Sequence, residues 1–234
     1  MKGIFSYDSK LMGVLDTLAN TMILNVMFLL FSIPIVTVGA AYTGLYSGCR
    51  ALAKKEPCFR AFFKGFKDGF KRSTIAWIIL AAVDVLAIFN LVCIVYYRDQ
   101  VIEGYMPALV LGIASIVVLM SITTMVFIFY SRFECTLGQL LKNSTLIVLS
   151  YPLRSVILAA LTWMPTFLFF WNPYVFMQVF VVWLVLYFGC IGTLSVWLMN
   201  KPFRKLAIAV FGEDVLKEED EAQEDTMKEK SVEA

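Results

Sequence analysis

Hydrophobic residues fill this chain in long runs, and short polar stretches punctuate them. The first run covers residues 17–49, thirty-three positions without one charged side chain. About 20 apolar residues, rising 1.5 Å each, cross a hydrocarbon layer of roughly 30 Å. The run therefore exceeds one membrane span and falls short of two comfortable ones. Pro34 removes a backbone donor and pushes Ile33 off helical angles, so a helix arriving through Asn25 is expected to kink or stop near Ser32. Thr37 then suits the N-cap of a second helix starting at Val38. That second half carries Gly39, Gly44 and Gly48, and the Gly44/Gly48 spacing offers a face through which another helix can come close.

Later apolar blocks predict spans near residues 74–97, 106–131, 155–171 and 174–199. Residues 155–200 hold no charge, which is too long for one helix. Asn172-Pro173 marks the turn inside that block, Trp171 and Tyr174 are placed as interfacial anchors, and Pro165 is expected to kink the first of the two helices. The predicted fold class is all-α, a polytopic membrane helical bundle of about five transmembrane helices with cytoplasmic amphipathic helices. Residues 1–211 form one integral membrane domain in this reading. Residues 212–234, dense in acidic side chains, form a tail expected to be disordered.

The polar stretches carry the candidate chemistry. On a helix, Phe59, Phe62, Phe63, Phe66 and Phe70 fall within an arc of about 100°, with Arg60, Lys64, Lys67 and Lys71 in a stripe beside them. Such a segment can lie on the membrane surface with its basic heads among lipid phosphates, pack on the protein's own helices, or dock a partner. Asp84 sits near the middle of the second predicted span, and Asn90 follows two turns later. An acid at that depth normally faces a bundle interior or a water-filled cavity. It is expected to be protonated, hydrogen-bonded to Asn25 or a backbone carbonyl, or part of an ion path. The structural roles are favoured, since no second intramembrane acid or base accompanies it.

Composition agrees with the pattern: 60% of residues are hydrophobic and 16% charged, against about 25% charged in soluble domains. The formal net charge of +2 hides two poles, because residues 50–72 carry eight basic and two acidic side chains and residues 212–234 carry ten acidic and three basic. Basic stretches at residues 50–72, 132–154 and 201–205 alternate with loops that are not basic, which under the positive-inside rule places them and the C-terminus in the cytoplasm. A single crossing by residues 17–49 gives five spans and an outside N-terminus; a hairpin there gives six and an inside one. Five widely spaced cysteines suggest buried thiols rather than a disulfide framework or a metal site, and there is no histidine. No phosphate-binding glycine loop, paired carboxylates or nucleophile-and-base set can be assembled. The expectation is a protein that is not an enzyme and holds no cofactor or metal. Lipid headgroups, not nucleic acid, are the nearest anions for the basic stripe.

The run Leu24-Asn25, then 34–41 reading Pro-Ile-Val-Thr-Val-Gly-Ala-Ala, Leu45-Tyr46 and the phenylalanine-spaced segment from Phe59 to Phe70 resembles the YesL family of bacterial integral membrane proteins, a domain of unknown function. The resemblance is most specific over roughly the first seventy residues. It implies a bacterial cytoplasmic membrane protein with an accessory role beside carbohydrate ABC-transporter subunits, and it supplies no catalytic residue. The alternative reading is a small transporter or channel with Asp84 in its polar path.

Overall fold

The computed structural model describes residues 10–97, 105–133 and 136–211, with backbone alone at 10–11 and 206–211. Ser9, the loop at residues 98–103, Cys135 and the acidic tail lie outside the described residues. The elements are α1 (Lys10–Ser32), a 3₁₀ turn (Ile35–Thr37), α2 (Val38–Ala53), α3 (Cys58–Tyr96), α4 (Tyr105–Tyr130), α5 (Leu137–Ser150), α6 (Pro152–Trp171), α7 (Pro173–Val182), a π-helical turn (Trp183–Tyr187) and α8 (Phe188–Phe211). Every described element is helical. Five stretches are long and apolar enough to cross a membrane: Met12–Ser32, Cys58–Tyr96, Tyr105–Tyr130, Pro152–Trp171 and Pro173–Lys205. The chain is a multi-pass membrane protein. It divides into two compact units, Met1–Val196 and Trp197–Ala234.

Residues 17–49 do not cross as one element. The helix stops at Ser32, as Pro34 requires, and resumes at Val38 after the 3₁₀ turn. Phe28 packs on Tyr42 with ring centroids 4.6 Å apart, while Leu24 lies against Gly48, so α2 runs back antiparallel to α1. α1 and α2 thus pack as a helical hairpin, although α2, at 16 residues, is shorter than the roughly 17–25 a full span needs. Thr37 also departs from expectation. Its hydroxyl donates backward, to Phe31 O at 2.7 Å and Pro34 O at 2.8 Å, and makes no cap bond to α2. The hydroxyl proton is thus drawn to the Phe31 carbonyl in the last turn of α1 and to the turn beyond it.

α2 closes with a turn in which Glu56 N–H donates to Ala51 O at 2.9 Å and Lys55 N–H to Leu52 O at 3.1 Å, with Lys55 left-handed at φ 58°. This is a Schellman ending, with lysine where glycine is usual. The turn sends α3 back along α2 at very short range. A Cβ on Gly39 would meet Ser73 O at 2.5 Å, one on Gly44 would meet Phe62 O at 3.0 Å, and one on Gly48 would meet Leu24 and Cys58 O. From the other side, Gly65 of α3 faces Ser47 and the Thr43 carbonyl, and Gly69 faces Thr43. Thr43 and Ser73 hydroxyls join the helices at 3.0 Å. The predicted small-residue face is therefore real, and its partner is the protein's own α3.

The amphipathic segment is not a separate surface helix. It is the first 15 or so residues of α3, a continuous helix of 39 residues, about 58 Å long at 1.5 Å per residue. Phe62 is fully buried, and Phe31 of α1 meets Phe62, Phe63 and Phe66 with centroids 5.7, 5.5 and 4.9 Å away. Self-packing thus claims three of the five phenylalanines, while Phe59 and Phe70 stay exposed. Leu24, Phe28, Leu45, Cys49 and Phe188 complete the core around them. Elsewhere proline follows the breaks after α5 and after α6. Tyr151-Pro152 separates α5 from α6. Asn172 caps α7 by accepting from Tyr174 N–H at 3.1 Å and Val175 N–H at 3.3 Å. Trp171 and Tyr174 are exposed beside that turn, and α6 passes through Pro165 without interruption.

Two outcomes follow from this packing. Gly44→Val should lower stability by roughly 1–3 kcal/mol, the usual cost of overpacking, in thermal unfolding of the purified protein. Because α2 returns along α1, single cysteines replacing Gly13 and Lys55 in a background lacking other thiols should be labelled from the same side of sealed vesicles. Labelling from opposite sides would contradict the hairpin.

Candidate functional site

An amide on α1, Asn25, and an acid on α3, Asp84, are both buried, and they do different things in different places. Asn25 is fully buried. Its Nδ2 donates to Leu184 O at 2.6 Å, and its Oδ1 accepts from Gly189 N–H at 3.0 Å. Leu184 and Gly189 are five residues apart, the spacing of a π-helical hydrogen bond; Leu184 lies inside the π turn between α7 and α8 and Gly189 just past it. The carboxamide stands in for the bond that the widened turn leaves open, which also fixes which amide atom is oxygen. Gly189 admits this approach because a Cβ there would meet Thr21 O at 2.5 Å.

Asp84 is buried on α3, and its Oδ2 accepts from the Thr123 hydroxyl of α4 at 2.9 Å. The expected link to Asn25 does not form. Asn25 spends both amide groups on the π turn, so the two side chains do not share one polar path. Asn90 is exposed on α3. The thiols are less uniformly buried than expected: Cys49 and Cys58 are buried, but Cys93 is half-buried and Cys190 exposed.

Thr123 has a second neighbour, a cavity of about 140 Å³ bounded by α2, α3, α4, α6 and the start of α8. Tyr42, Trp77, Phe127, Trp163 and Phe188 form its walls, and Thr123, Thr124, Thr162 and Thr166 supply hydroxyls. Tyr42 and Phe127 stack with centroids 5.8 Å apart and planes at 23°. Trp77 is held by its indole N–H, which donates to Ile35 O at 2.9 Å in the turn after α1. Sequence reading missed this cavity, since its residues come from five helices and no single periodicity displays them. It also missed Gly65 and Gly69, although their small-xxx-small spacing is plain in the sequence.

The basic stripe is where amphipathicity put it. Arg60, Lys64, Lys67 and Lys71 are all exposed along α3. Among the described residues, no three His, Cys, Asp or Glu side chains are grouped to hold a metal.

Comparison with known proteins places the most distinctive part of this architecture. Asn25 should be indispensable to it: Asn25→Leu leaves Leu184 C=O and Gly189 N–H without partners and is expected to cost about 1–3 kcal/mol per group in thermal unfolding, whereas Asn25→Gln should cost less. Neither the curated proteins nor the solved structures contain a match to the chain. Residues 21–91, covering the end of α1, all of α2 and most of α3, match the family described as protein of unknown function, DUF624.

Proposed function

We propose that this is a YesL-like protein of the bacterial cytoplasmic membrane that acts by assembly, as a non-enzymatic accessory or regulatory partner of a carbohydrate ABC transporter. The observation that carries this reading is the exposed row Arg60, Lys64, Lys67 and Lys71. None of the four has an ion pair among the described residues, and Phe59 and Phe70 are exposed at its two ends. Aromatic anchors beside unpaired cations are what a protein or lipid surface of opposite charge recognises. The small-residue face and the inner phenylalanines no longer count toward a partner, because α1, α2 and α3 use them on each other. The family resemblance supplies the partner class, and the positive-inside rule puts the row and the C-terminus in the cytoplasm.

The test is recovery from native membranes. Transporter subunits should copurify with the wild-type protein and fall several-fold with Lys64→Glu/Lys67→Glu/Lys71→Glu. These exposed substitutions should each shift stability by no more than about 0.5 kcal/mol, so a loss of recovery reads binding rather than folding. Equal recovery from both, or no transporter subunits from either, overturns the proposal. Solute movement by the purified protein alone in liposomes would instead favour a transporter.

A further inference from the structure

The cavity beside Thr123 has a chemistry that the assembly reading leaves unused. None of its lining side chains is charged, and burying an unpaired ion there would cost far more than burying a neutral molecule. Its volume of about 140 Å³ is well above the roughly 10–15 Å³ that one water requires and below the roughly 300 Å³ at which drug-sized pockets begin. A small molecule without charge is what such a space would hold at least cost.

The walls also state which polar groups it carries. Thr123 donates its hydroxyl proton to Asp84 at 2.9 Å, Thr124 donates to Met120 O at 2.9 Å, and Thr162 donates to Leu158 O at 2.8 Å. With those protons committed, the Thr123 and Thr124 oxygens have only lone pairs left to offer, while the Thr162 oxygen is already engaged by the Tyr46 hydroxyl of the same wall. Thr123 and Thr124 call for hydroxyl donors. The opposite need is at Trp163, whose ring forms part of the wall and whose indole N–H is buried without an acceptor. A buried donor left unmatched costs about 1–3 kcal/mol, and a ligand oxygen would remove that cost. The stacked Tyr42 and Phe127 rings, with Trp77 beside Phe127 at 6.1 Å, give flat apolar surface for a C–H face.

We infer that this cavity binds a small uncharged molecule with several hydroxyl groups and an apolar face, the chemistry of a polyol or a monosaccharide. This goes beyond the basic row and does not depend on it, since the row lies on the exposed side of α3 and no residue of it lines the cavity.

The test uses the full-length protein in lipid nanodiscs, free of glycosidic detergents, with glycerol, D-glucose and D-glucose 6-phosphate as probes. Tryptophan fluorescence and equilibrium dialysis should show saturable binding of glycerol or glucose and little of the phosphate ester. Trp163→Phe keeps the ring and removes the N–H, and should weaken binding about tenfold. Val38→Trp should abolish it by filling the cavity. Should Val38→Trp fail to fold by circular dichroism, Trp163→Phe decides alone. No saturable binding of either neutral probe, equal binding of the phosphate ester, or unchanged affinity in Trp163→Phe overturns the inference. So does quenching by bromo-acyl lipid that glucose does not relieve, which would assign the cavity to a lipid chain.

Discussion

The meeting of α2 and α3 backbones is the constraint on which the other arrangements rest. Within a bilayer, apolar side chains gain little by leaving lipid for protein, so helices associate through close van der Waals packing and a few hydrogen bonds. Here glycines on both helices remove the side chains that would hold them apart, and α3 carbonyls occupy the room where Cβ atoms of Gly39 and Gly44 would be. That proximity lets Thr43 reach Ser73 and drives Phe62 into the core against Phe31. It also sets Trp77 next to the turn after α1, where its N–H finds the Ile35 carbonyl. One wall of the cavity is thus a by-product of the glycine contact.

Asn25 and Asp84 show that depth in a membrane does not by itself assign a role. An intramembrane Asn or Asp invites a functional reading because it is costly. Asn25 offsets that cost by repairing a helix whose ladder has widened by one residue, and it joins α1 to the start of α8 in doing so. Asp84 has one hydroxyl partner, and that hydroxyl belongs to the cavity rim. The same residue class serves as a structural joint in one place and borders an open space in the other.

Helix ends were legible wherever a local rule dictates them. Pro34, Tyr151-Pro152 and Asn172-Pro173 interrupt backbone hydrogen bonding whatever surrounds them, and each break lies where the residues place it. Five stretches long and apolar enough to cross a membrane were legible too, since length and hydropathy are properties of the segment alone. The direction of α2 was not, because a glycine-rich helix with few large side chains reads the same whether it continues outward or folds back. Nor was the fate of Phe59 to Phe70. Periodicity shows that these rings share a face, and only Phe31, from a different helix, decides that three of them are covered. The continuity of α3 was hidden by the change from basic to apolar composition at Ser73, a change that alters what surrounds the helix without breaking it. Around the cavity, threonines looked like ordinary span residues until their protons were traced.

That unbroken α3 has a mechanical side. Residues 74–96 contain neither proline nor glycine, so nothing in that stretch provides a hinge. The cationic end and the level of Asp84 belong to one continuous helix, pinned against α2 at Gly65 and Gly69. A load applied at Lys64 or Lys67 would tilt the far portion like the arm of a lever, shifting Asp84 against Thr123 and changing the width of the space that Thr123 borders.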